Sequence, residues 1–254
     1  MVDAHVHIER GPYEIEWIEQ FVDYAIKREI DSLYLLEHSH RFIEFSNLYA
    51  KFAAYNDYQA KWLSNKLNIP LGSYTALINR VRSHKWPIEI KFGLEVCYDE
   101  RHEDLIYRLK RSFDWDFFTG SVHWIDGWGF DHKPEFWEDK EPEKIYVRYY
   151  EIMKKLVKSG LFDILAHPDS IKCFGHLPDI DPTSQYRELA VLLNKTNMKV
   201  EQSAGLRINY NHPELGMNKH LLTLCKENNV SIITASDAHK PEDVGRFIRE
   251  MISE

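Results

Sequence analysis

Cysteine is scarce in this chain. There are three, Cys97, Cys173 and Cys225, widely spaced and without a CxxC pair. That argues against a disulfide framework, and a reducing, cytoplasmic setting is the simplest expectation. No apolar run approaches the ~18–20 residues of a membrane span, so no membrane role is expected. The N-terminus has no basic segment leading into an apolar stretch, so no secretory leader is expected either. Positive charge is in deficit: 32 Lys and Arg against 40 Asp and Glu leave a net charge of −8. That sign disfavours a nucleic-acid-coating role, but it leaves room for a local anion site. There is no linker, low-complexity tract or internal repeat beyond the rhythm described next, so residues 1–254 are expected to form one domain.

Histidine, by contrast, is plentiful, with thirteen in the chain. The first two lie in Val2-Asp3-Ala4-His5-Val6-His7, whose apolar/polar alternation reads as a strand. Side chains at i and i+2 of a strand share a face, so His5 and His7 project together and Asp3 is expected on their side. Strand-like and helix-like segments then alternate. Strands are expected at 32–36, 88–94, 116–122, 162–166, 198–202 and 230–235. Helices are expected over 14–28, through about 111, and over 142–158, 183–195 and 213–228, with a last one from Pro241 to the end. Residues 42–86 form a helical excursion, with Pro70 and Gly72 marking a break between two helices. Seven βα units in series argue for a parallel sheet, and at this length for a closed or distorted TIM-like barrel.

The ends of these strands carry the chemistry. They place His5 and His7, His38, Glu95, His123, His167, and Asp237 with His239 at six of seven C-terminal ends. Alone, His38 or His123 is a hydrogen-bonded rim residue, and Asp237 is a helix N-cap. Together they fall where parallel barrels build their active sites. Chance would scatter them into helices and turns, as it does His84, His102 and His176. Eight such residues are too many for one ion. They point to two or three divalent metals, Zn, Mn or Fe, with Glu95 or Asp237 able to bridge a pair. Clustered metals lower the pKa of water and hold the attacking and leaving oxygens of an in-line displacement at phosphorus.

Asp3-x-His5-x-His7, Glu37-His38, Gly93-Leu94-Glu95, Ser121-Val122-His123, Ala166-His167-Pro168-Asp169 and Ser236-Asp237-Ala238-His239 resemble the ordered motifs of the polymerase-and-histidinol-phosphatase (PHP) superfamily. The resemblance runs from residue 2 to about 247. It implies a distorted (β/α)7 barrel, a trinuclear metal centre and phosphoester hydrolysis. His7-Ile8-Glu9-Arg10-Gly11-Pro12 and Ser203-Ala204-Gly205-Leu206-Arg207 are similar to the histidinol-phosphate phosphatase branch. That branch implies a small phosphorylated substrate, cleaved to L-histidinol and phosphate in histidine biosynthesis. Many members carry a further His or Asp a few residues past HxH. Here Glu9 is the first choice for that ligand, since it shares the parity of His5 and His7.

A phosphate dianion calls for a cation nearby. Arg207, after the one strand whose end lacks a ligand, is the leading candidate, followed by Lys172 and Arg10. Asp237, His239 and His40 are the candidate catalytic residues, with His40 placed to protonate the leaving alkoxide. The aromatic loop from Trp124 to His132 either walls an imidazole or simply covers the barrel. The competing readings are a PHP nuclease or nucleotide phosphoesterase, a phosphotyrosine phosphatase, a non-catalytic metal-binding module, and an amidohydrolase. The last typically carries a bridging lysine on a middle strand, where this chain has Glu95 and His123.

Overall fold

Alternation of buried strands with one-sided helices produces the barrel. A computed structural model describes residues 1–253. Seven parallel strands follow one another in chain order around the sheet: β1 (Val2–His7), β2 (Ser32–His38), β3 (Glu89–Cys97), β4 (Phe117–Ser121), β5 (Ile164–Leu165), β6 (Lys199–Ser203) and β7 (Ile232–Ala235). The ring is nearly closed between β7 and β1, where the His7 N–H donates to Ala238 O at 2.8 Å and Thr234 Oγ1 donates to Val2 O at 2.6 Å.

The helices form the outer layer. On α1 (Ile15–Lys27), Ile18, Phe21, Val22 and Ala25 recur at helical spacing and are buried against the sheet. On α6 (Pro142–Ser159), Pro142 opens the helix and Gly160 ends it in the left-handed conformation. Beneath the mouth, Ala4, Tyr34, Leu36, Phe117 and Ile164 form a buried plug with Val2 and Ile233 packed on it. This plug supports the C-terminal rim and keeps the barrel from being a pore.

Several expectations need correction. Between Asp3 and Val6 the β1–β2 register slips by one residue. The extra residue is a bulge, and it reverses the face of everything before it. Asp3 therefore does not share the side of His5 and His7. Its carboxylate accepts from Ser236 N (2.7 Å), Ser236 Oγ (2.6 Å) and Gly245 N (2.7 Å). Burial pushes that carboxyl up to about 6, against these hydrogen bonds.

The excursion after β2 contains three helices, not two: α2 (Ser46–Ala53), α3 (Asp57–Lys66) and α4 (Leu71–Arg82). Asn56 creates the unforeseen break by capping α3, its side chain accepting from Gln59 N at 2.8 Å. The helix expected from Pro213 begins only at Lys219, because Gly216 has φ +72 and packs against the Gln202 amide. The last helix is confined to Ile248–Ile252. Gly245 (φ +71) and Phe247 (φ +63) turn the chain so that the Gly245 amide can reach Asp3. Among the described residues, no helix is long and apolar enough to cross a membrane.

Candidate metal centre

Glu95 lies near the end of β3 and is almost fully buried. Its two oxygens divide five imidazoles between them. Oε1 lies 2.9 Å from His123 Nε2 and 3.2 Å from His167 Nε2. Oε2 lies 3.4 Å from both His5 Nε2 and His7 Nε2, and 3.2 Å from His38 Nε2. Asp237 Oδ1 adds a second acid, 3.5 Å from His7 Nε2 and 3.7 Å from His5 Nε2. On the opposite flank, Glu9 reaches His38 Nδ1 at 3.7 Å and His239 Nε2 at 3.8 Å. The His7 ring stacks on His38 with centroids 3.8 Å apart and planes 6° apart, and on His239 at 4.4 Å. All nine ligand candidates thus meet at one place. Above it opens a cavity of about 410 Å³.

The donor set fits divalent cations. The Nε2 atoms of His5 and His7 face each other at 2.9 Å. Glu95 Oε2 and the Nδ1 atoms of His7, His38 and His167 are buried without a hydrogen-bond partner. Buried polar groups are rarely left so, and imidazoles and carboxylates converging on shared points are the ligand set of Zn, Mn or Fe sites. Among the described residues, four groups have ligand atoms within 4.8 Å of one another: His7-His38-His239, His5-Glu95-His167, His5-His7-Asp237 and Glu9-His38-His40.

The electrostatics divide the imidazoles into two groups, His7 on one side and His5 and His123 on the other. Burial, then the charge of neighbouring imidazoles, holds His7 well below the ordinary imidazole pKa, which keeps it in the neutral form a metal needs. Burial opposes charge on His5, but the carboxylates of Glu201 and Glu95 outweigh it and hold the ring well above that range. In His123 burial is likewise overcome, by Asp131 and Glu95, and the pKa is pushed up to about 10. Glu95 stays well below the carboxylate range despite burial, because His38, His5, His123 and His167 surround it.

A second layer of residues aims these ligands. His5 Nδ1 donates to Glu201 Oε1 at 2.9 Å, and His123 Nδ1 donates to Asp131 Oδ2 at 2.7 Å. Glu201 Oε2 also accepts the main-chain N–H of His167 at 3.1 Å. Sequence reasoning missed both acids. Glu201 had a signal: a lone carboxylate in the middle of a strand whose neighbours are buried. Asp131 was hidden in the aromatic loop. His167 (φ +23) and Asp237 (φ +55) hold conformations uncommon for residues with side chains, a feature that clusters at functional sites. Gly205 is needed for a different reason. A Cβ there would lie 2.2 Å from Asp237 Oδ2, so only glycine lets that carboxylate pack against α8 (Gly205–Tyr210).

Comparison with known proteins agrees with this geometry. The PHP domain model matches residues 3–211. The chain belongs to the PHP domain family. It is 31% identical over 201 residues to a protein of Deinococcus radiodurans named probable histidinol-phosphatase, covering 78% of this chain and 75% of that one. Among solved structures, the Listeria monocytogenes HisK protein has a TM-score of 0.78 at 19% identity, over 98% of this chain and 99% of that one. The histidinol phosphate phosphatase of Lactococcus lactis, solved with zinc, L-histidinol and phosphate, has a TM-score of 0.73 at 20% identity, over 99% of this chain and 92% of that one.

This PHP domain does not bring every expected substrate-facing residue to the mouth. Arg207 is exposed and turned away, its Nη1 donating to the carbonyls of His212 (3.2 Å) and Pro213 (2.9 Å). On the short helix that follows β6, position 207 faces outward while Gly205 and Asn209 face Asp237. Lys172 is buried elsewhere, bound to Asp169 at 2.6 Å and Glu214 at 2.5 Å in a separate cavity. Arg10 is exposed and does line the mouth, as does Lys66, which sequence reasoning had not singled out. His40 lines it too, beside the Trp62 ring at 4.7 Å, but burial and His38 hold its pKa well below the imidazole range. The ring is therefore neutral at neutral pH, the wrong form for a proton donor.

The aromatic loop covers the barrel and lines one side of its mouth. Trp124–Ile125 and Trp128–Gly129 pair as a hairpin, turned at Asp126-Gly127. The buried Gln59 side chain ties that hairpin to α3, donating to Gly127 O at 2.8 Å and accepting from Gly129 N at 3.0 Å. Trp128, Phe130 and Trp137 are core, while Trp124 and His132 join Tyr58 and Trp62 at the mouth.

Proposed function

We propose that this chain is a metal-dependent phosphomonoester hydrolase whose substrate is L-histidinol phosphate, released as L-histidinol and phosphate. The observation that carries the reading is Glu95, one carboxylate set among five imidazoles at the mouth of a PHP barrel. The branch-like segments at 7–12 and 203–207 and the Deinococcus relative support the substrate.

In this account His5, His7, Glu95 and Asp237 would hold one cation. Glu95, His123 and His167 would hold a second, and Glu9, His38 and His239 a third. Bound there, divalent ions such as Zn, Mn or Fe supply water of lowered pKa and neutralise phosphoryl charge. The chain's own residues do the rest. Arg10 and Lys66 replace Arg207 and Lys172 as the cations that draw the phosphate dianion to the mouth. A water oxygen would bond to phosphorus as the ester P–O bond breaks in line, and His40, its pKa raised by the bound dianion, would give a proton to the departing alkoxide oxygen and be recharged by the proton the water releases. Tyr58, Trp62, Trp124 and His132 wall the cavity against water and offer flat faces to the imidazole of the substrate. Residues 1–254 act as one domain. The three cysteines are free and buried, in keeping with a reducing compartment such as the cytoplasm.

A substrate comparison tests the reading. Phosphate release is measured with Mn or Zn on histidinol phosphate, phosphotyrosine, nucleoside monophosphates and single-stranded DNA. The expected kcat/KM on histidinol phosphate exceeds the others by on the order of 10²-fold, as contacts along a whole ligand allow. Equal or better turnover of phosphotyrosine or a nucleotide contradicts it.

A further inference from the structure

The segment after β6 carries no candidate ligand, yet it lies against Asp237. We infer that Asn209 is a positioning residue that fixes the Asp237 carboxylate for metal binding. The inference rests on the metal-centre reading above. Asn209 Nδ2 donates to Asp237 Oδ2 at 3.1 Å and to Asp237 O at 3.2 Å, so one side-chain amide fixes both the carboxylate and the backbone of the same residue. Gly205, one helical turn earlier on the same face of α8, removes the Cβ that would collide with Oδ2. The carboxylate is thus seated on Gly205 and bound by Asn209 through Oδ2. Its other oxygen, Oδ1, is left facing His7 and His5.

The backbone half of the clamp matters as well. Asp237 holds φ +55, and its carbonyl also accepts from His239 Nδ1 at 3.0 Å. Asn209 therefore supports the turn that aims both ligands of the β7 loop. A neutral amide suits this task. It donates two hydrogen bonds without adding a cation that would compete with a metal for Oδ1. Through this helix, β6 contributes to the centre without supplying a ligand.

The test is the dissociation constant for Mn or Zn, measured on the whole chain by competition with a chromogenic chelator. Asn209→Leu and the milder Asn209→Ala are expected to weaken binding by about 10–100-fold, the usual range for lost support of a ligand. Activity is expected to return toward wild type as metal is raised, with KM for histidinol phosphate little changed. Wild-type metal affinity in both variants overturns the inference, and a raised KM in that case makes Asn209 a substrate contact instead. A wild-type chain that binds no divalent metal fails the metal-centre reading itself, a separate result.

Discussion

His5 Nδ1 donates a 2.9 Å hydrogen bond to Glu201 Oε1, joining two residues 196 positions apart across the floor of the barrel. This bond fixes the tautomer of His5 and leaves Nε2 aimed at Glu95 and Asp237. Glu201 is fully buried, and its second oxygen holds the His167 amide. One acid thus orients ligands from two strands. Glu201→Gln keeps the volume but removes the charge. It is expected to weaken metal binding by about 10–100-fold, read as metal retained after dialysis against graded chelator.

Asp3 ties the two ends of the chain together. Asp3→Ala leaves the Ser236 and Gly245 amides buried without an acceptor, at a cost of at least about 2 kcal/mol. A denaturant midpoint shifted accordingly, with lower metal retention because Asp237 directly follows Ser236, is the expected outcome. An unchanged midpoint sinks this account of the closure.

Much of this was legible because the chemistry is written at strand ends. The seven alternating units could be read, and so could the nine residues that the structure brings together, at positions 5, 7, 9, 38, 95, 123, 167, 237 and 239. What could not be read depends on departures from ideal periodicity. The bulge after Asp3 turned that acid to the other face. Asn56 split a helix by capping the next one. Arg207 follows the right strand but lies on the wrong face of a six-residue helix, which spacing does not reveal. Asp131 acts through His123, and no pattern links a loop acid to a rim histidine eight residues earlier.

Lys172 is structural in this account. Burial opposes its charge, but Asp169 and Glu214 outweigh the burial and raise its pKa above the ordinary lysine value. The sign follows from linkage. A cation with a raised folded pKa adds stability fully present below the unfolded value of about 10.4 and lost as pH climbs through the folded one. Lys172→Met leaves Asp169 as an unpaired buried charge and is expected to cost about 3–5 kcal/mol at neutral pH. The gap from wild type narrows at strongly alkaline pH. Urea melts at pH 7 and above pH 10.5 check both parts.

The two arginines separate by kinetics. Arg10→Ala is expected to raise KM for histidinol phosphate by roughly tenfold, the effect of losing one charge-assisted contact of about 1.5 kcal/mol. Arg207→Ala is expected to change KM by less than about twofold, since its guanidinium serves two carbonyls away from the mouth. A large KM effect at Arg207 with none at Arg10 reverses the assignment.

The most direct measurement is anomalous diffraction from crystals of the wild-type chain soaked in Mn or Zn. The account predicts peaks about 2.0–2.3 Å from the His5 and His7 nitrogens, Glu95 and Asp237, with at least one more on the far side of the Glu95 carboxylate near His123 and His167. Density confined to surface acids, with the mouth free of any anomalous signal, contradicts it.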